Sequence, residues 1–563
     1  MNILGLNYFF HDSTACIVVN GELVTAIEEE RLSREKHTGA FPKLAIKKCL
    51  EIAGLTVKDI DHVAVSIKAS HKWQAKLVYP LKSIKNAKTF YNHEFRRAHR
   101  KQKTFWGWYN TFWGSSSGKR PRVHFIEHHL AHVEGSFYVS PYEKAALLSL
   151  DGSGEWATSY LGSGEGNRVT CFNQSYFPMS LGSFYEAATE FCGFRPNYDE
   201  GKTMGLAPFG DPEVFYDIVD KMVTIDGQGS ISIDLSYFDY QFWGKRRCSQ
   251  KFYDVFGLPR HHPEDFSKNH HDVASAFQKV LEDKALKICK ILRQKTDADY
   301  LVVAGGVALN SVMNGRIIRE SDFKDVYVMP AAGDNGTAIG AAYCLYNRIL
   351  GKQRNFIHTN PYVGTAYSDE QIATLIARYK LPAEFHDDVT KTAAQLLKEG
   401  NIIGWFQGKM EIGPRALGNR SILANPAFPD MKAKINSQVK YREPYRPFAP
   451  SAPEEVTGQF FDLTVKDPFM LKVCNVLEDK QALLPAITHV DGSARLQTVD
   501  KRTNPLYHKL IMRLGELTGV SVVLNTSFNI QGEPVVESPT DAIRCFYSTG
   551  LDVLILGNYV IRK

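Results

Sequence analysis

Apolar and polar positions follow one another along this chain in a repeating order of strand, turn and helix. Residues 2–7, beginning Asn2-Ile3-Leu4-Gly5-Leu6, read as a strand, and a polar loop carrying Asn7, His11 and Asp12 follows. Two β-rich runs, Ala15 to Val19 and Glu22 to Ala26, flank Asn20-Gly21, which predicts a hairpin closed by a type I′ turn. Phe41-Pro42 opens a helix that ends at Gly54, and Asp61 to Ser66 is a further strand. Val123 to Ile126 and Ala145 to Leu150 are apolar runs of strand length, and amphipathic spacing predicts a long helix over Val273 to Gln294. Tyr300 to Val303 and Val326 to Val328 are strands, each leading through a Gly-rich junction into a helix, the second of which starts at Thr337. A polar stretch from Gly351 to Pro361 precedes strands at Ile402 to Phe406 and Val520 to Leu524. The pattern predicts an α/β chain: a first domain over residues 1–350 made of two similar halves, a linker at 351–365 and a second α/β domain at 366–563.

Composition adds boundaries to this picture. With 563 residues, 44% hydrophobic and 23% charged, the chain has enough apolar material for large cores without staples. The net charge of +6 suits anionic small molecules and is too weak to argue for nucleic acid, which is not expected as a partner. Nine cysteines lie scattered with no C-x-x-C pair, which predicts reduced, mostly buried thiols in a cytoplasmic protein. The first residues enter a strand with no basic leader before it, and no apolar run reaches the length of a membrane span, so neither a signal peptide nor a transmembrane segment is expected.

One region breaks the pattern. Between Lys68 and Arg122 a run of lysines and arginines, Lys85 among them, faces a single acid, Glu94, and aromatics from Phe90 to Trp113 interleave with the cations. Two readings stand: an inserted helical lid meeting a polyanionic or amphipathic acceptor, or an exposed basic helix whose aromatics pack on the domain. The charged run from Glu28 to His37 likewise reads either as a functional segment or as a solvated connection.

The candidate chemistry sits at strand ends. His128 and His132 are one helical turn apart, so both imidazoles lie on one face, as two ligands of one divalent cation must. Asp151 ends an apolar strand and supplies a carboxylate, and Asp334, at the end of a second strand before a helix, is the fourth candidate ligand. Two imidazoles with two carboxylates suit iron, manganese or zinc alike. Gly152, Ser153 and Gly154 form a turn whose glycines bring N–H groups to a phosphate, and Gly305-Gly306 with Asn310 offers another strand-to-helix phosphate or ribose site. Asp199 to Pro208, with Gly201 and Lys202, reads as a Gly-punctuated turn beside a nucleotide. In the second domain, arginines amid Pro, Gly and apolar residues at 407–423, 440–450 and 488–499, followed by Asn525 to Asn529, point to a pocket for a dianion. Arg–Glu pairing with Glu411 and Glu443 accounts for some of them.

The paired halves, each with a strand, a Gly-rich turn and an Asp, resemble the actin-like and sugar-kinase ATPases, and within them the metal-dependent branch that makes threonylcarbamoyl-adenosine on tRNA. Taken together, Gly5-Leu6-Asn7 with His11-Asp12, Glu28 to Arg31 with Lys36-His37, His128 to His132, Asp151 to Glu155, Glu200 to Pro208, Gly305 to Asn310, Ala331 to Gly336, Gly413 to Leu423, Arg442 to Pro450 and Asn525 to Asn529 resemble the O-carbamoyltransferase family. That family includes the nodulation-factor, cephamycin, ansamycin and tobramycin carbamoyltransferases. Lys409, where the family more often has Arg, and Phe9-Phe10 before His11 are small departures.

The resemblance implies an actin-like (ASKHA, Kae1-like) duplicated α/β domain followed by a YrdC-like α/β domain. It implies that the latter binds carbamoyl phosphate and ATP, with Mg2+, and makes carbamoyl-adenylate. By motif match Arg415, Lys440, Arg446, Arg495, Asn525 and Ser527 hold the anions, and Lys36 reaches in from the first domain. His128, His132, Asp151 and Asp334 then hold the metal, Fe2+ in the best-known relatives, with Mn2+ or Zn2+ as alternatives. His11 is either the general base for an acceptor hydroxyl or a histidine that hydrogen-bonds its loop. The acceptor implied is a glycan, antibiotic or other small natural product with a free hydroxyl, and the chain is compatible with a homodimer. Competing readings are a tRNA-modifying threonylcarbamoyl enzyme, a non-catalytic nucleotide-sensing module and a sugar kinase.

Overall fold

The computed structural model describes residues 1–114, 120–243, 246–261 and 263–563. Residues 115–119 and the Lys85 side chain, parts of the basic stretch singled out above, lie outside the described residues. The chain forms two compact units, Met1–Glu29 with His37–His358, and Glu30–Lys36 with Thr359–Lys563. All nine cysteines are free, and Cys171 alone of them is exposed.

The first unit holds two five-stranded sheets of one design. Strands β1 (Asn2–Asn7), β2 (Thr14–Val19) and β3 (Glu22–Glu28) form an antiparallel meander, and β4 (His62–Val65) and β5 (Arg122–Phe125) add in parallel on the far side of β1. The hairpin turn between β2 and β3 has positive φ at both Asn20 (52°) and Gly21 (93°), as a type I′ turn requires. Strands β6 (Lys144–Gly154), β7 (Ala157–Glu165) and β8 (Arg168–Tyr176) repeat the meander, with β9 (Tyr300–Ala304) and β10 (Asp325–Val328) again parallel beyond its first strand. This repeated order is a duplicated α/β design. β1 and β6 are central in their sheets and buried on both faces, which is why they read as continuous apolar runs instead of alternating ones.

Helix α1 (Lys43–Ala53) covers β2 and β3. Three helices, α2 (Trp73–Val78), α3 (Ile84–Tyr91) and α4 (Arg97–Trp113), make up the basic stretch between β4 and β5. Phe90, Phe105, Tyr109 and Trp113 are buried there, so the packing of aromatics on the domain holds for these four. Helix α5 (His128–Tyr138) lies on β6 and β9, and α6 (Leu181–Phe191) also packs on β6. Asp199 to Pro208 corrects an expectation: it contains α7 (Glu200–Leu206), whose first turn closes through a hydrogen bond from Lys202 N to Asp199 O at 2.7 Å. Helix α8 (Lys268–Lys295) runs past both ends of the expected span. After β9 come α9 (Ser311–Glu320) and, following β10, α10 (Thr337–Tyr343).

Helices α5 and α10 cross in backbone contact. A Cβ on Gly135 would stand 2.1 Å from Gly340 Cα, and one on Gly340 would stand 1.8 Å from the carbonyl oxygen of Ala131. Only glycine allows this approach.

The second unit is built on one mixed eight-stranded sheet. In chain order its elements are α11 (Asp369–Tyr379), β11 (Ala383–Phe385), α12 (Val389–Lys398), β12 (Ile403–Phe406), β13 (Arg420–Ala424), β14 (Ala449–Pro453), β15 (Gln497–Val499), α13 (Pro505–Thr518), β16 (Val523–Ser527), α14 (Pro539–Tyr547), β17 (Val553–Leu556) and β18 (Tyr559–Arg562). The strand order is β11-β18-β17-β12-β13-β16-β14-β15. Ile403, Trp405 and Leu423 face a core with α12 and α13, whereas Phe406, Ile422 and Leu524 face a second core with α11 and α14. The strand expected at Val520 to Leu524 is paired from Val523 onward, because the Val520 N–H is taken by the Thr518 hydroxyl at the end of α13.

The charged run from Glu28 to His37 is no solvated connection at its start. Glu28, Glu29, Glu30 and Arg31 are buried, and Arg31 donates to the Gly413 carbonyl at 2.8 Å while Arg34 donates to Val535 and Pro534 at 2.6 and 2.8 Å. Residues 30–36 thus belong to the second unit, Lys36 with them.

Candidate metal centre and anion pocket

The first turn of α5 puts His128 and His132 on its buried face, both almost fully enclosed. Asp151 lies where β6 leaves its ladder. Pairing passes from Leu150 with Ser159 to Gly154 with Ala157, so residues 151–153 bulge out of register. Gly152 to Gly154 are therefore the end of a strand, and the turn comes one residue later at Glu155, whose φ is 56°. In the bulge, Asp151 Oδ1 accepts the N–H groups of Gly152 (2.9 Å) and Gly306 (3.0 Å), which leaves Oδ2 for the histidines. Asp334 opens the turn before α10, and its backbone oxygen accepts from Asn7 Nδ2 at 2.9 Å.

These elements bring four donor atoms together. His128 Nε2 lies 3.0 Å from His132 Nε2, 3.4 Å from Asp151 Oδ2 and 3.4 Å from Asp334 Oδ1. His132 Nε2 lies 3.6 and 3.5 Å from the same two oxygens. Donors held at about 2.1 Å from one centre stand roughly 3.0–3.4 Å apart, so the set fits a single divalent ion. The electrostatics agree with that fit. Burial opposes charge on both sides, yet His11 and His128 hold the Asp334 carboxyl well below the usual range, and Asp334 and Asp151 raise His128 well above it. Two buried carboxylates demand a cationic partner there.

His11 stands at the rim of this group, with Nε2 3.9 Å from Asp334 Oδ2. Its Nδ1 is 2.9 Å from one oxygen of Asp12, whose other oxygen is 2.7 Å from His37 Nδ1. Burial opposes a charge on His11, but Asp334, Asp12 and Asp151 outweigh it and push its pKa up to about 10. Asp334 and Asp151 are also the carboxylates that a bound dication would neutralise. Asn7 Nδ2 holds the loop by donating to the carbonyls of His11 and Asp12 at 3.2 Å each.

The other residues singled out in the first unit fall into two groups. Gly152, Ser153, Gly154, Gly305 and Gly306 lie along Asp151. Asn310 caps α9 through Met313 N (3.0 Å) and is tied to Gln278 (2.9 Å). Gly201 and Lys202 sit in α7, and the Lys202 ammonium is 3.1 Å from Asp199 and over the Phe194 ring.

In the second unit, Arg415, Arg442, Arg446 and Arg495 lie within electrostatic reach of one another. Burial and the neighbouring Arg446 push Arg415 down to about 10, and the same two causes push Arg442 down to about 9. Arg495 falls well below its usual value through burial, Arg415 and Arg442, with Asp467 opposing. The Glu411 carboxylate accepts the N–H groups of Leu417, Asn419 and Arg420 and shapes the loop that presents Arg415, and its charge opposes the lowering of the Arg420 pKa by burial. Glu443 lies 3.7 Å from Arg446. Lys440, near Lys36, is committed to the Ser527 and Asn529 oxygens, at 2.9 Å for Asn529 Oδ1. The Asn525 amide donates to Ala416 O, Ser451 Oγ and Gln497 Oε1 at 3.0–3.1 Å.

Both units match known sequence families. Residues 2–343 match the carbamoyltransferase N-terminus and residues 394–563 the carbamoyltransferase C-terminus. The chain belongs to the carbamoyltransferase family.

Among its relatives, an uncharacterized protein of Synechocystis sp. is 38% identical over 595 residues, covering 100% of this chain and 97% of that one. The nodulation protein NolNO of Sinorhizobium fredii is 36% identical, covering 99% of this chain and 80% of its own. A 3'-hydroxymethylcephem-O-carbamoyltransferase of Amycolatopsis lactamdurans is 34% identical over 48% of this chain and 50% of its own.

Some contacts of this carbamoyltransferase had no signal in the sequence. Arg97 of α4 donates to the Phe10 carbonyl at 2.8 Å and stacks over the Phe10 ring, and Lys101 donates to the carbonyls of Tyr8 (2.8 Å) and Gly39. The Phe10 ring in turn meets His128 edge-on at 5.4 Å. These cations reach across more than 60 residues, and only the three-dimensional structure brings them to the His11 loop and its neighbour. The sequence offers His11 as a general base or as a histidine that hydrogen-bonds its loop, and the Asp12 bridge that joins it to His37 was not legible there.

Proposed function

We propose that this carbamoyltransferase uses ATP and carbamoyl phosphate to make carbamoyl-adenylate in its second unit, and transfers the carbamoyl group in its first unit to a hydroxyl of a glycan, antibiotic or other natural product. The observation that carries the proposal is the arginine group 415, 442, 446 and 495. Arg446 lowers the pKa of Arg415 and Arg442, and such buried like charges are costly unless a polyanion joins them; two polyanionic substrates need that compensation to meet. For the atoms to balance, carbamoyl phosphate takes up water and releases phosphate. The resulting carbamate oxygen then bonds to the α-phosphorus of ATP as the bond to pyrophosphate breaks. Arg415, Arg446 and Arg495 hold the phosphoryl oxygens, and Lys440 and Asn525 keep the floor of the pocket in shape through the contacts given above.

In the first unit, His128, His132, Asp151 and Asp334 would hold the divalent ion, with iron(II), manganese(II) and zinc(II) all suited to that donor set. The ion supplies Lewis acidity toward a carbamoyl or phosphate oxygen. Once a bound ion neutralises Asp334 and Asp151, which hold His11 protonated, His11 would do the proton work: its Nδ1–H is directed at Asp12, so Nε2 is the atom that takes the proton of the acceptor hydroxyl. That hydroxyl oxygen bonds to the carbamoyl carbon as the bond to AMP breaks. The Gly152 to Gly154 and Gly305-Gly306 backbones line the place where the adenylate phosphate sits.

Pyrophosphate release tests the first step without an acceptor. Purified protein with ATP, carbamoyl phosphate, magnesium and a divalent transition metal should release pyrophosphate only when carbamoyl phosphate is present, and Arg446→Ala should abolish it. Release that ignores carbamoyl phosphate, or that survives both Arg446→Ala and Arg415→Ala, overturns the proposal.

A further inference from the structure

The stretch between β4 and β5 has a second face that the packing of the first unit leaves unused. Its segment from Trp73 to Lys82, α2 with the turn after it, is anchored from the inside. Lys76 is buried with Nζ 3.2 Å from Glu94 Oε2, and Tyr79 is buried among Phe90, Trp156 and Phe177 with its hydroxyl on the Gln241 carbonyl at 3.0 Å. The outward face carries Trp73, Leu77, Val78 and Leu81, which are 53, 52, 62 and 75% exposed. Trp73, Leu77 and Leu81 are spaced four residues apart, so four large apolar groups crowd one face within nine residues. Single exposed apolar residues are ordinary on a protein surface; a group of this kind marks a contact surface.

Charge identifies what it contacts. Lys68, Lys72, Lys82 and Lys88 are exposed around these residues. The one acid in the sequence from 68 to 114, Glu94, has a side chain nine-tenths covered and paired with Lys76. Among the described residues from 68 to 114, the exposed charges beside these apolar groups are therefore positive. We infer that it docks peripherally on an anionic lipid bilayer, with the tryptophan and aliphatic side chains entering the headgroup–acyl boundary and the lysines on the headgroups. Tryptophan favours that boundary, and lysine keeps its ammonium in the headgroup layer while its stem lies along the apolar one. No helix among the described residues is long and apolar enough to cross a membrane, so the contact is with the surface. A second copy of the chain would set lysines against lysines. Leucine and valine give no stacking plane to nucleic acid bases, on which single-strand binding depends.

Vesicle co-sedimentation of the full chain tests this. With vesicles of phosphatidylcholine and phosphatidylglycerol the protein should pellet, with pure phosphatidylcholine the bound fraction should fall at least about ten-fold, and high salt should release it. Each lysine near such a surface is worth about five-fold in partitioning, so Lys82→Glu with Lys88→Glu should lower binding more than about 25-fold. Leu77→Ser with Leu81→Ser should lower it by a similar factor or more, while far-UV circular dichroism and pyrophosphate release stay as in the wild type. No binding to the mixed vesicles overturns the inference. So does binding to both vesicle types alike, or capture by single-stranded RNA that survives Leu77→Ser with Leu81→Ser. Concentration-dependent dimerisation that those serine substitutions abolish, without vesicle binding, would assign the face to a second copy and overturn it as well.

Discussion

Arg97 holds the carbonyl of Phe10 at 2.8 Å, so a helix inserted between β4 and β5 ties down the loop that carries His11. Lys101, one turn later, holds the same loop at Tyr8 and a separate segment at Gly39. The inserted stretch is thus part of what fixes His11 beside Asp334, in addition to whatever its outer face contacts.

Arg97→Ala should therefore loosen the His11 loop without touching the adenylate-forming pocket. A charged hydrogen bond of this kind contributes about 1.5–3 kcal/mol, so carbamoyl transfer should fall on the order of ten-fold in kcat, with carbamoyl phosphate-dependent pyrophosphate release unchanged. Arg97→Lys should recover part of the loss. Equal loss of both activities would show that Arg97 supports the fold at large and not the loop.

The crossing of α5 and α10 bears directly on the metal centre, because α5 carries His128 and His132 and α10 begins just after Asp334. A methyl group at 340 has no space beside the Ala131 carbonyl, and one at 135 has none beside Gly340. Gly340→Ala should push the helices apart at a cost of about 1–3 kcal/mol and widen the spacing of the four donor atoms. Metal content per chain, read by elemental analysis, should drop while the second unit keeps its pyrophosphate release. Full metal content in Gly340→Ala would mean that the two helices tolerate separation at this point.

Much of this was readable from the chain because local and global preferences coincide. The apolar run Ala145 to Leu150 is a central strand, His128 and His132 share a helix face, and Asn20-Gly21 closes the hairpin. What escaped reading depends on partners distant in sequence. Asp151 looked like a strand end followed by a turn, but the Gly306 N–H helps hold it in a bulge. Gly201 and Lys202 looked like a loop because glycine lowers helix propensity, yet α7 forms with its first turn closed on Asp199. Glu28 to Arg31 stood open between a functional segment and a solvated connection, and Arg31 is buried with a partner, the Gly413 carbonyl, that no local pattern reveals. Lys440 and Asn525 carried the motif, but the hydrogen bonds of their nitrogens to Asn529 and Ala416 could not be read from it.

The donor set His128, His132, Asp151 and Asp334 should bind about one divalent ion per chain. At a free metal concentration of about 100 times Kd the ion should add roughly 2.7 kcal/mol to the stability of the first unit, visible as an upward shift of its thermal transition on metal addition and its loss with chelator. His132→Ala should weaken binding by more than about 100-fold, beyond what loss of an outer-shell contact causes. Reconstitution of the stripped protein with iron(II), manganese(II) and zinc(II) in turn identifies the metal as the one that restores carbamoyl transfer. A stripped protein with undiminished transfer would remove the metal from the proposal.

Asp467 gives the second unit a pH dependence of its own. It is buried, and that burial pushes its pKa from 3.8 up to about 6 although Lys472 and the N–H groups of Leu471 and Lys472 favour the carboxylate. The folded protein then holds the proton more tightly than the unfolded chain. Its contribution to stability is fully present below about pH 4 and is lost as pH rises through about 6, a change of about two pKa units or on the order of 3 kcal/mol. Asp467→Asn keeps an oxygen for the two backbone donors and cannot ionise. The stability of wild type relative to Asp467→Asn, from denaturant unfolding of the second transition, should therefore fall between about pH 4 and about pH 7. A difference that stays flat across that range would mean that Asp467 ionises as easily in the fold as in the unfolded chain, held there by the arginines around it.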